Sequence, residues 1–243
     1  MLGYSADGTA DASHQPSGGA RLFRHPFAGY LAAPMPGPVD PLIPLSLLEA
    51  VRTVDLPDID LEAEFVHELR NKRLGLSDTV FAQIKRFTEA VRRKQRTDFN
   101  EAAGIAKLIG RRPDAEAVFR EAGRYFARQV YGTISPVTRR MMRSLPALLT
   151  RPLALRHVRR VARRYLHGSA RRMGGTIILD VTESVTHDAA PKLGGCAFYE
   201  AALRELVQLM VGGVGAVDHV RCASRGEGSC EWRAEWRPER GKG

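Results

Sequence analysis

Three cysteines, Cys196, Cys222 and Cys230, fall within the last 48 residues of a chain of 243. Thiolates hold borderline and soft metals, and the surroundings of these three favour that chemistry. Cys196 follows Gly194-Gly195 at an expected helix start, where the helix dipole lowers a thiol's pKa. Cys222 and Cys230 flank an expected hairpin turn, which is a rigid way to bring two sulfurs together. Asp218 and His219 stand just before Cys222, and either can complete a set of four. Three Cys plus one His is a common structural zinc set. No Cys-x-x-Cys pair is present, so on spacing alone the three also read as small buried apolar residues. An odd cysteine count does not make a disulfide framework, and a reducing, cytoplasmic setting is the expectation.

A second group is cationic. Arg151, Arg156, Arg159, Arg160, Arg163, Arg164, Arg171 and Arg172 lie in one segment without an acid. Arg156, Arg160, Arg163 and Arg164 recur at helical spacing, with Leu155, Val158, Val161 and Ala162 supplying apolar contacts. Such a face suits anions: a phosphate, a carboxylated ligand, nucleic acid or an acidic membrane. The competing reading is a solvated face on a helix packed by its apolar side. Tyr165 is the one aromatic residue interleaved, which is thin support for base stacking. The other histidines are scattered. No H-E-x-x-H, haem-attachment, G-x-S-x-G or dinucleotide fingerprint occurs, and no cofactor site for redox chemistry is visible.

These residues need elements to position them. Residues 1–40 are rich in Gly, Ser, Pro and Asp and read as a disordered tail. Residues 41–173 read as helical. A helix spans Pro44–Val54, and a weaker one Leu61–Leu74. A third is opened by Ser77 and Asp78 and carries Phe87. Two more span 99–110 and 114–131, the latter bearing Phe119 and Tyr125. A helix over 137–150 breaks at Pro146, and 152–167 carries the arginines. From Gly174 the grammar changes. Thr176–Thr182 is β-rich, and Cys196–Val211 is a largely apolar helix ended by glycines. Val217–Ala223 and Cys230–Trp236 form a hairpin, the second strand alternating Cys230, Trp232, Ala234 and Trp236 against charged residues. The expected fold class is α+β: a helical N-terminal half packed on a small antiparallel sheet, with a strand–helix–hairpin C-terminal half over 174–238.

Gly195-Cys196-Ala197-Phe198-Tyr199-Glu200, Asp218-His219-Val220-Arg221-Cys222, the Gly-Glu-Gly turn and Ser229-Cys230-Glu231-Trp232 together resemble the C-terminal half of the 4-vinyl-reductase domain family. The likeness is good over about 174–237 and looser over 77–173. That family includes a protein linked to bacteriochlorophyll synthesis, sensor domains of phenol- and toluene-responsive activators, and stand-alone bacterial and archaeal proteins. It is related in structure to small subunits of the TRAPP vesicle-tethering complex. In its aromatic sensors a structural zinc is held by a Cys before the long helix, a Glu three residues before the second Cys, and two Cys flanking the hairpin. Cys196, Cys222 and Cys230 match the three cysteine positions, and the Glu position falls on His219. The resemblance therefore implies a structural zinc at these four residues.

The resemblance also implies a lipophilic small-molecule ligand enclosed between helices and sheet. Its walls would be Phe198, Tyr199, Leu203 and Leu206, with Phe87, Phe119 and Tyr125 from other helices and Trp232 from the sheet. Homodimerisation through helices follows from the tethering-complex relatives. Phenol specificity does not carry over, because both tryptophans lie downstream of the first cysteine. With no G-x-x-x-x-G-K-[ST], a complete activator is not expected. The main expectation is a sensor or carrier without catalysis of its own. The alternatives are an enzyme or accessory in tetrapyrrole metabolism and a dimerising scaffold.

Composition bounds all of this. Hydrophobic residues make up 44%, enough for a substantial core. Thirty-seven Lys and Arg against 27 Asp and Glu leave a net charge of +10, compatible with nucleic acid, an anionic membrane or an anionic ligand. No apolar run approaches the ~18 residues a membrane span needs, and the first residues lack the basic and apolar regions of a signal peptide.

Overall fold

The computed structural model describes residues 36–56, 74–145 and 147–236. Most of the expected tail and of the weak 61–74 helix lie outside these residues. Where the tail reading does overlap them it is corrected. Val39 is buried and forms a two-bond antiparallel bridge with Thr97, and Asp40 accepts a hydrogen bond from the Leu42 N–H at the start of the first helix.

Seven α-helices are formed among the described residues: α1 (Leu42–Asp55), α2 (Asp78–Arg92), α3 (Phe99–Ile109), α4 (Ala115–Gly132), α5 (Pro136–Ser144), α6 (Ala147–Tyr165) and α7 (Ala197–Val211). Their boundaries follow local chemistry. Ser77 caps α2 by accepting from the Val80 N–H, Asp98 caps α3, and Ser135 caps α5 with Pro136 in its first turn. Gly212 ends α7 at φ 80°, a left-handed conformation that glycine adopts without a Cβ clash. The break expected near Pro146 falls between α5 and α6. α6 takes in Pro152 in its second turn rather than starting there.

Four antiparallel strands, β1 (Gly168–Met173), β2 (Thr176–Val181), β3 (Val214–Arg221) and β4 (Cys230–Trp236), form one sheet in the order β1-β2-β4-β3. β1 corrects the helical reading of 168–173. It is an edge strand on which Ala170 alone is buried, so it lacks the apolar alternation that identifies a strand. No helix among the described residues is long and apolar enough to cross a membrane.

α7 is the hub. Its Phe198, Tyr199, Ala202, Leu203, Leu206, Val207 and Met210 are buried, because α4, α6, β3 and β4 all pack on it. α4 crosses it so closely that a Cβ on Gly123 would lie 2.2 Å from the Phe198 carbonyl oxygen. Glycine is thus the residue that permits this helix–helix approach.

The core is aromatic along one line. Tyr165 meets Phe126 edge-on at 5.8 Å between centroids, and Phe126 meets Phe198 at 5.6 Å. Phe198 meets Tyr199 at 5.1 Å, Tyr199 stacks on Trp232 at 5.0 Å, and Trp232 stacks on His219 at 4.8 Å. Two buried acids tie elements together. Asp55 at the end of α1 takes two hydrogen bonds from Arg112 and one from the Gly75 N–H. Glu231 on β4 is bound by Arg171, Arg221 and Arg233 at 2.8–3.2 Å. Burial alone would raise the Glu231 pKa, but the Arg233 hydrogen bond and the Arg221 and Arg171 charges outweigh it and hold the carboxyl below its usual range.

Candidate metal centre

The local fold brings together four side chains from three places. Cys196 is the N-cap of α7, reached through a 3-10 turn over Pro191–Cys196. Gly195 fixes that turn. The Thr186 hydroxyl donates to its carbonyl at 2.6 Å, and a Cβ on it would sit 1.7 Å from the Thr186 carbonyl oxygen. Cys222 follows the end of β3 and Cys230 opens β4, with a 3-10 turn at Ala223–Arg225 and left-handed Gly226 and Gly228 between them.

His219 arrives by a β-bulge. It pairs with Trp232, whereas Arg221, two residues on, pairs with Glu231, one residue back. Val220 is therefore the extra residue on β3. In a regular strand, residues three apart face opposite sides. The inserted residue puts His219 on the same side as Cys222, facing Trp232 and Cys230.

The four ligand atoms all lie within 4.8 Å of one another. Cys196 Sγ is 3.9 Å and Cys230 Sγ 4.0 Å from Cys222 Sγ. A tetrahedral ion with Zn–S bonds of about 2.3 Å sets sulfurs about 3.8 Å apart, so the cluster has the dimensions of a metal site. The sulfurs are about twice a disulfide bond length apart, and all three cysteines are free and buried. His219 Nε2 is itself a buried nitrogen without a hydrogen-bond partner among the described residues. A bound cation would satisfy such an atom, and this carries the fit test along with the donor chemistry. Asp218, the alternative fourth ligand, is exposed on β3 and outside the cluster.

The electrostatics split the thiols, favouring the thiolate at one and the thiol at its partner. Cys230 is pushed down to about 5, first by its hydrogen bond with Cys196, with further help from the Ala223 N–H and Cys222. The Ala223 N–H lies 3.3 Å from its sulfur. Cys196, the partner in that bond, is pushed up by the same bond and by burial. One anion shared within a thiol cluster is what a cation would neutralise.

The other expected site residues are placed as follows. Phe198, Tyr199, Leu203, Leu206, Phe87, Phe119 and Trp232 are buried and packed in the core. Tyr125 is half-buried on α4 and feels Glu49 and Arg52 of α1. Between the helices and the sheet, Phe126, Val161, Leu166, Leu179, Leu203 and Leu206 line a hollow of about 10 Å³, close to one water. Phe198, Tyr199 and Trp232 also contact one another in the aromatic line of the core.

Arg156, Arg160, Arg163 and Arg164 are all exposed on α6, as expected. Arg160 and Arg164 line a surface cleft, whereas Arg156 and Arg163 do not. Lys94, on the far side of that cleft, escaped the sequence reading. It is 66 residues from Arg160, and nothing local links them. The chain matches no family model, no curated protein and no solved structure.

Proposed function

We propose that this protein is a non-catalytic, small-molecule-binding domain protein, a sensor or carrier, braced by one structural zinc ion. The observation that carries the metal part is the convergence of Cys196, His219, Cys222 and Cys230 within 4.8 Å. Three thiolates and an imidazole match zinc's preference for S and N donors in a tetrahedron. Because all four positions are supplied by the protein, the site is of the closed, structural type rather than one that leaves a position for a reacting water. The ion would tie the start of α7 to both strands of the β3–β4 hairpin. Elemental analysis of the purified chain tests this. One zinc per chain is expected, with Cys230→Ser and His219→Ala reducing it. Metal-free folded protein of unchanged melting temperature refutes it.

A second reading, an interaction scaffold that dimerises through its helices, is favoured by the interlocked aromatic line of the core. Light scattering at micromolar concentration separates the two, since the scaffold requires a dimer and the binding domain does not.

A further inference from the structure

Among the described residues, cations with few acids beside them line one concavity. Where α2 and α4 end against α6, two adjoining hollows of about 360 and 530 Å³ share Lys94, Thr133, Arg164 and Tyr165. Each is within the roughly 300–1,000 Å³ range of small-molecule sites. The larger is floored by Val130, Ile134, Val161 and Leu206 and rimmed by Lys94, Arg160 and Arg164. Ser135 and Thr138 of the first turn of α5 also face it, and that helix end adds partial positive charge.

The cations here differ from those on α4. There Arg120, Arg124 and Arg128 are each paired with a glutamate. The side chains of Lys94 and Arg160 have no ion-pair or hydrogen-bond partner among the described residues. Asp40 is the one acid lining either hollow. It lies in the smaller one, under the influence of Arg96 and Arg164. His157, on the wall of the larger hollow, is held below its usual pKa by burial and by the charges of Arg160 and Arg156. An apolar floor under an uncompensated cationic rim is complementary to an apolar body carrying an anionic group.

We infer that the cleft between the ends of α2 and α4 and the arginine face of α6 binds an amphipathic anion, a carboxylate, sulfonate or phosphate on an apolar body. The charged group sits between Lys94, Arg160 and Arg164, and the body lies on Val161, Leu206 and the Tyr165 ring. This rests on the small-molecule part of the proposed function and is independent of its zinc part.

The probe is 1-anilinonaphthalene-8-sulfonate, a sulfonate on an aromatic body, titrated by fluorescence into the full chain as purified. Saturable binding is expected, displaced by laurate but not by dodecanol. The pair Lys94→Glu/Arg160→Glu should weaken it about tenfold or more, since two attractions become repulsions. The charge-matched pair Arg156→Glu/Arg163→Glu, outside the cleft, should weaken it far less. Circular dichroism and zinc content should be unchanged in both pairs. If the two pairs weaken binding equally, or dodecanol competes as well as laurate, the cleft is not the site. Saturable binding that survives Lys94→Glu/Arg160→Glu overturns this cleft and leaves a ligand site elsewhere. No saturable binding at all overturns both this inference and the small-molecule reading, whatever the zinc content shows.

Discussion

At the scale of single residues, the chemistry is set by which atoms compete for the three sulfurs. Protons and a metal ion compete directly, because zinc takes thiolate and releases the proton. Cys230 is already poised as the anion, pushed down to about 5, while burial and its hydrogen bond with Cys230 hold Cys196 in the protonated form. Loading the metal therefore expels protons, and acid reverses it. Metal retention should be steady above neutral pH and fall progressively as the pH drops toward 5 and below, as a chelating dye will show. Release that does not depend on pH would mean the sulfurs are not ligands. Loss of the metal by Cys222→Ser should cost more than about 4 kcal/mol, on the order of 8–16 °C in melting temperature. The cysteines were legible in the sequence because a helix-start thiol and a hairpin pair are local patterns. Spacing alone left His219 and Asp218 both open as the fourth residue; the family resemblance pointed to His219, and the bulge at Val220, which no local pattern announces, is what turns it toward the cysteines.

At the scale of elements, close approaches decide where the ligands sit. Gly195 carries Cys196 into place against the Thr186 carbonyl, with no room for a Cβ. Gly195→Ala should destabilise the fold by about 1–3 kcal/mol and lower zinc content with it. Gly104, exposed in α3 with nothing within 4 Å of an added Cβ, is the control. Gly104→Ala should be stabilising by up to about 1 kcal/mol with zinc unchanged. Chemical denaturation with a zinc assay on each variant reads both, and equal effects would dissociate Gly195 from the site. The helices were legible from their caps and apolar spacing, as Ser77 and Gly212 illustrate. β1 was not: its Arg171 earns its place on an edge strand by reaching the buried Glu231 carboxylate, a partner 60 residues away.

At the scale of the whole molecule, the net charge of +10 is unevenly compensated, with α4 neutralised and the cleft side of α6 left bare. Sequence could count the charge but not its partners. Residue types likewise marked the aromatics without showing that they interlock. Their arrangement has an optical consequence. Six rings run from His219 through Trp232, Tyr199, Phe198 and Phe126 to Tyr165 on the cleft wall. Trp232 is one of just two indoles in the chain and stacks on the imidazole of the metal cluster. Its emission is thus a built-in gauge of what occupies that cluster. In a Trp236→Phe background, replacing zinc by paramagnetic cobalt should quench the remaining indole strongly, and re-addition of zinc should restore the light. An indole that glows equally with either metal would place the ion somewhere other than beside His219.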